Sequence, residues 1–413
     1  MRRNLRELPA AAWFLVAGNF INWFASFAIV FLVLYLTRRG FTVAQAGTAV
    51  AAYGLGEMLA GGLAGHLADR LGRRTTMAVS MFSGAATVMA LYFVQPYPAI
   101  VAMAFLAGVA TETWRPASRA LMADLVPEGQ RVTAFATVRL AGNLGAAAGS
   151  AAAGFLADHS FLWVFLSDAL TSTIFGLIAV FLLPRGRRTR REEEVETGGY
   201  RAVFRDPPFL AFLVGTMLVA FVYFQSQATL PLHVVHELGL ANADFGLLLS
   251  LNGILVVLFE LPVSSLTMRF SPRPMISLGF LLVGLGFGLT AVADSMPLLL
   301  LTVAIWTLGE MVAAPVSYAY VADVAPEHLR GRYQGAYGIF FGSASIVGPA
   351  LGTFVFSRAP TTFWAGCALL GAVAAALPVL GRPRRRALTL HPGPAGPPAG
   401  AAEPGAVDAD ADP

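Results

Sequence analysis

Lysine is absent from this chain, cysteine occurs once, and charged residues make up only 13% of its 413 positions. Each scarcity removes a class of protein. The lone Cys367 allows neither a disulfide framework nor a cysteine metal site. The six histidines are scattered, and His233, His236 and Glu237 spell HxxHE, which is neither HExxH nor HxxEH, so no metal is expected. No G-x-S-x-G is present and no large polar segment could form an extramembrane domain, which leaves a membrane-embedded enzyme or receptor as a remote alternative. So little charge beside 56% hydrophobic residues, with a mean hydropathy of +0.66, is outside the balance of a water-soluble domain.

What the chain has in place of charge is apolar length. Runs near 9–36, 45–67, 75–95, 98–121, 132–156, 161–183, 207–232, 244–266, 275–293, 297–321, 334–356 and 362–380 reach the ~20 residues that a helix needs to cross a bilayer. They are continuous, whereas barrel strands would alternate, so the spans are predicted to be helices. The first run follows Arg2, Arg3 and Arg6 but is longer than a signal-peptide core, so it is expected to remain as span one. Twelve spans put both termini on one side. On that side fall Arg70, Arg73, Arg74, Arg119, Arg131, Arg269, Arg273, Arg330, Arg332 and the groups at 185–205 and 382–386, with only Arg38, Arg39 and Arg358 opposite. The positive-inside bias makes the arginine-rich side the cytoplasm and the location the cell membrane.

The polar break at 184–206 divides the spans six and six and reads as a linker, its Arg and Glu runs solvated near anionic lipid. Expected domains are therefore an N-terminal bundle at 1–183, the linker, a C-terminal bundle at 207–386, and a Pro/Gly/Ala-rich tail at 387–413 expected to be disordered. A shift of 199 residues superposes the halves. It carries Gly40, Gln45 and Gly47 onto Gly239, Asp244 and Gly246, and Pro116, Asp124, Pro127 and Arg131 onto Pro315, Asp323, Pro326 and Arg330. Parallel repeats of this kind bind substrate near the midplane between rocking halves.

The loop after span two reads Gly65-His66-Leu67-Ala68-Asp69-Arg70-Leu71-Gly72-Arg73-Arg74. Physically it is a tight glycine turn, with Asp69 at a helix end and Arg73 or Arg74 able to pair with Asp124. The string resembles the G-x-L-a-D-r-x-G-r-[KR] signature of the major facilitator superfamily at every defined position. The resemblance implies an all-α membrane protein of twelve transmembrane helices in two pseudo-symmetric six-helix bundles. It also implies that Gly65, Asp69, Arg70, Gly72, Arg73, Arg74 and Asp124 form a cytoplasmic latch closed in the outward-open state. The second copy, Met268 to Arg273, has lost the acid and the glycine, so a weaker latch is expected there.

Span ten reads Trp306-Thr307-Leu308-Gly309-Glu310 and continues through Pro315, Ala322-Asp323 and Tyr333-Gln334-Gly335. This resembles a stretch of proton-coupled multidrug exporters in which the glutamate handles protons or drug, a role that would fall on Glu310. An ionised carboxylate at mid-membrane costs several kcal/mol, roughly, so Glu310 is expected neutral for part of its cycle or paired, with Trp306 one turn away as an aromatic wall. The other reading is a hydrogen bond to a neighbouring helix. In span four, Glu112 and Arg115 form an i, i+3 pair open to a structural or a proton-relay role, and Pro116 should kink the helix. Span five offers Arg139 as a further coupling or substrate residue. The Gly348-Pro349-x-x-Gly352 of span eleven resembles the antiporter motif, which family members carry in span five, where this chain lacks the proline.

Glu57 shares a stripe with Gly61 and Gly65 and is expected to face a closely packed helix, and Asp168 in span six is expected to be structural on a helix turned toward lipid. Glu260 in span eight is not the repeat partner of Glu57. Asn19, Asn22, Trp23 and Ser26 in span one, with Tyr223, Gln225, Ser226, Gln227 and Thr229 in span seven, form polar stripes expected to line a cavity, joined by Trp306 from span ten. The sequence thus reads as a proton-coupled exporter of amphipathic or cationic small molecules. The alternative is an importer, symporter or facilitator, of a small polar metabolite. No cofactor beyond the proton gradient and no nucleic-acid partner is expected, and a monomer in the bilayer is.

Overall fold

A computed structural model describes residues 8–127, 130–184 and 201–380, and every regular element among them is helical. Most of the expected linker, and all of the expected tail, lie outside the described residues. Each predicted span falls on a helix. Nine described helices, Arg73–Phe93 the first of them and Pro360–Leu380 the last, are long and apolar enough to cross a membrane. Spans one, two and four complete the twelve. Span one is broken into Ala10–Ala25 and Leu32–Arg38, and span four into Tyr97–Glu112 and Trp114–Leu125. Span two, Val43–Leu71, is diluted by glycine and alanine. The expected kink at Pro116 is this interruption at Thr113, within the turn whose backbone bond the proline cannot make.

Local chemistry repeats with the register. Gln45 Oε1 accepts from the Thr42 N–H at 2.9 Å, and its counterpart Asp244 accepts from Ala241 N–H at 2.9 Å, so both second spans start on the same side-chain cap. Gly40 and Gly239, also counterparts, end the first spans at φ 89° and 67°, where an L side chain would be strained. Gly72 turns span two into span three at φ 87°, while its counterpart Ser271 sits at φ −60°, which explains how the second copy dispenses with glycine.

The break in span one frees backbone donors inside an apolar bundle, and one of them, Ala28 N–H, donates to Asp168 Oδ2 at 3.2 Å. Asp168 is therefore buried against span one and not turned toward lipid, correcting the sequence expectation. Span seven bends at the matching place. There Gln225 Nε2 donates to Gly348 O at 3.1 Å in span eleven, in the notch left by Gly352.

Spans two and five of the first half meet spans eleven and eight of the second, at the ends away from the arginine-rich loops. Gly47 abuts Thr353, Gly54 abuts the Ser345 carbonyl, and Gly154 abuts Gly246, approaches too close for any side chain. Toward the arginine-rich end the helices part. Gly61, Gly62 and Gly65 in span two and Gly331 and Gly338 in span eleven face no atom of the described residues within 4 Å of where a Cβ would stand. Among the described residues, the two halves are closed at one end and open at the other.

Candidate functional site

Between the halves and within each lies a chain of three chambers. The first, about 210 Å³, is in the C-terminal half and holds Glu310, with Tyr223, Phe280, Tyr318, Tyr337 and Phe341 around it. Glu310 Oε1 accepts from Tyr223 Oη at 3.4 Å and Oε2 from Asn252 Nδ2 at 3.2 Å. A second donor contact of Asn252, to Thr307 Oγ1 at 3.1 Å, fixes the amide. The carboxyl group is thus held by two neutral donors among aromatic rings and has no ion-pair partner within 4 Å among the described residues. Such a site tolerates the protonated acid and strengthens any interaction of the ionised one with a bound cation.

The central chamber, about 270 Å³, is shared by both halves and is bounded by Asn22, Trp23, Ser26, Glu57, Tyr223 and Gln227 among others. Glu112 and Arg115 also face it, paired at 2.8 Å between Oε2 and Nε, with the guanidinium stacked 4.7 Å from the Trp23 ring. Tyr53 Oη lies 2.9 Å from Thr111 Oγ1 and donates to Glu112 at 3.5 Å. The third chamber, about 400 Å³, is bounded by spans one, four and five and includes Asn19, Trp23, Arg115 and Arg139.

Several sequence expectations are changed by this geometry. Glu57 lines the central chamber and does not face a packed helix, because the close approach to span four is made by its neighbour Gly56, against the Phe105 carbonyl, while Gly61 and Gly65 look into open space. Trp306 belongs to none of the three chambers. Its ring stacks on Phe287 at 5.3 Å and backs Tyr223 at 6.0 Å, drawn off the cavity by the room that Gly286 leaves. Gln225, Ser226 and Thr229 are buried in helix packing, so of the span-seven stripe Tyr223 and Gln227 reach the cavity. Arg139 does not stand alone: it pairs with Glu260 across the two halves.

At the arginine-rich end, Arg73 pairs with Asp124 and its Nη1 donates to Ala120 O at 2.6 Å, while Arg74 donates to Leu183 O at 3.3 Å. Asp69, on the other side of the Gly72 turn, is exposed. In the second copy Pro272 replaces Arg73, and Arg273 reaches Tyr320 Oη at 3.3 Å instead. Asn252 escaped the sequence reading, and the pairing of Glu260 with Arg139 did too, yet Asn252 was findable: its repeat counterpart is Tyr53, and Glu310 is the counterpart of Thr111, so both halves join the same two positions.

Twelve helical spans, pseudo-symmetric halves and a central cavity open at one end define a membrane transporter. The chain belongs to the Major Facilitator Superfamily, whose family model matches residues 13–241 and 214–405. It is 29% identical to the uncharacterized MFS-type transporter YttB of Bacillus subtilis, over 84% of this chain and 88% of that one. It is 23% identical to a Na(+), Li(+), K(+)/H(+) antiporter of Planococcus maritimus, covering 85% and 89%, and 23% identical to multidrug resistance protein 1 of Bacillus subtilis, covering 75% and 80%. Among solved structures, a POT family transporter in complex with 5-aminolevulinic acid matches the fold with a TM-score of 0.75 at 14% identity, covering 90% and 96%.

Proposed function

We propose that this transporter exports amphipathic or cationic small molecules in exchange for protons, by alternating access in the cell membrane. Residues 1–183 and 207–386 are the rocking bundles, 184–206 the linker and 387–413 the tail, with both termini and the open end in the cytoplasm. The observation that carries the reading is Glu310, a half-buried acid among aromatic rings, held by neutral donors at the wall of the open cavity. Protonated, it suits the empty chamber; ionised, it holds a cation. Proton and substrate then exclude one another at one group, which is what antiport requires. The multidrug and antiporter relatives support the same reading. Asp69, Arg73 and Asp124 are the latch that closes the cytoplasmic end in the other state.

The test is Glu310→Gln in inverted vesicles, with ethidium supplied outside and its accumulation in the lumen followed. With one proton exchanged, each pH unit of gradient is worth about 1.4 kcal/mol, or about tenfold in accumulation. The variant should lose that dependence while retaining downhill movement. Accumulation by Glu310→Gln that still tracks the pH gradient would sink the assignment. Uptake of a small polar metabolite with a proton, the alternative, predicts proton and substrate moving in the same direction.

A further inference from the structure

The duplication has built a chamber at the same place in each half. Trp114, Arg115, Ser118, Arg119, Val138 and Gly142, around the third chamber, are the repeat counterparts of Ala313, Ala314, Ser317, Tyr318, Tyr337 and Phe341 around the Glu310 chamber. The register has kept the cavity while the side chains have diverged in charge. The C-terminal chamber holds Glu310 and no basic residue, and the N-terminal one holds Arg115, Arg119 and Arg139 and no acid.

Three helices supply that basic chamber by the same device, a pair of residues one turn apart. Span one gives Asn19 and Trp23, span four gives Arg115 and Arg119, and span five gives Arg139 and Asn143. Two of the guanidinium groups are answered. Arg115 is paired with Glu112 at 2.8 Å and Arg139 with Glu260. Arg119 has neither a hydrogen bond nor an ion pair among the described residues, and stands exposed in the cavity. Neutral Asn143 and apolar Phe135 and Val138 complete the surface around it. A guanidinium within the field of Glu112 but with no direct hydrogen-bond or ion-pair partner among the described residues, beside an aromatic wall, matches one ligand chemistry, a planar or tetrahedral oxyanion carried on an apolar body.

We propose that the N-terminal chamber binds the acidic group of an organic anion, a carboxylate, sulfonate or phosphate, with Arg119 as the pairing charge and Asn143 as a neutral donor. The substrates are then amphipathic acids and zwitterions as well as cations. Trp23 and Arg115 border both this chamber and the central one, and Tyr223 and Phe341 border both the central one and that of Glu310. A molecule bearing an acid and an amine therefore finds opposite charges in adjoining chambers that share walls. This inference rests on the cavity being the substrate path, and on neither proton coupling nor direction.

Three probes with one ring system separate the possibilities: 2-naphthoate, 2-naphthylmethanol and 2-naphthylmethylamine, titrated calorimetrically into the purified full-length protein in detergent. Naphthoate should bind about tenfold or more tighter than the alcohol, the worth of one charge-assisted hydrogen bond. Arg119→Gln should abolish that advantage and leave the amine within about twofold, Arg119→Lys should retain part of it, and Asn143→Asp should weaken naphthoate by repulsion. Glu310→Gln should weaken the amine and spare naphthoate, so a failure of the Glu310 assignment is read separately. Naphthoate binding no tighter than the alcohol, or indifferent to both Arg119→Gln and Asn143→Asp, overturns the proposal.

Discussion

Asp158 ends span five two residues before the chain turns into span six, and its carboxylate reaches across to the first turn of span eight in the other half. Oδ1 accepts from Asn242 N–H and from Asn242 Nδ2, each at 2.8 Å, and Oδ2 accepts from Ala243 N–H at 3.0 Å. An anion at a helix N-terminus that also takes two backbone donors joins the halves at the closed end. The contact is exposed, so its charge–dipole part is worth about 0.3–1 kcal/mol, and a net ~0.5 kcal/mol for each of the three hydrogen bonds, which compete with water, brings the clasp to about 2 kcal/mol. Because the clasp exists only while this end is closed, Asp158→Ala should shift the two-state balance toward the opposite conformation by about 5- to 150-fold. Gly61 reports the shift, since a side chain placed there meets nothing within 4 Å in the present state. In a Cys367→Ser background, Gly61→Cys should react readily with a membrane-impermeant maleimide applied to inverted vesicles, and at least about fivefold more slowly once Asp158→Ala is added. Equal alkylation in the two backgrounds would refute the clasp.

Two further outcomes follow from the packing. Asp168→Ala leaves the Ala28 N–H without its acceptor inside the bundle and should cost about 1–3 kcal/mol, read as a lowered unfolding midpoint in detergent, whereas Asp168→Asn keeps an acceptor and should lose less. Gly56→Leu should abolish folding yield, since even a Cβ there collides with span four, while Gly61→Leu should fold normally, a contrast that fluorescence-detected size-exclusion chromatography measures directly.

The twelve spans and the six-and-six division were legible because each is written along the chain itself: apolar length for the spans, and a polar break with a constant 199-residue register for the division. Breaks in spans one and seven were not, because they depend on acceptors supplied from elsewhere in the fold, Asp168 taking the Ala28 N–H for one and the Gly348 carbonyl of span eleven taking the Gln225 amide for the other. The same limit explains the residues misassigned to faces. A stripe of Glu57, Gly61 and Gly65 states which residues share a face but not what that face meets, and the packed face proved to be that of Gly56. Trp306 was placed one turn from Glu310 correctly, yet a helix turn spans enough arc for Phe287 to take its ring out of the cavity.

Internal duplication nevertheless offers a stronger reading than either half alone. Where the fold needs a position, the two copies agree in role: Gly40 and Gly239 end helices, Gln45 and Asp244 cap them, Gly47 and Gly246 let the halves touch. Where the copies differ while the backbone does not, packing has ceased to constrain the side chain. Tyr53 beside Thr111 and Asn252 beside Glu310 occupy one geometry with different chemistry, and Arg119 opposite Tyr318 does so again. Stability does not require those differences, because each copy shows that the alternative side chain fits its frame. On the reading proposed above, charge placed at such positions, acid in one chamber and base in the other, selects the substrate, and exchanging residues between counterpart positions tests that reading directly.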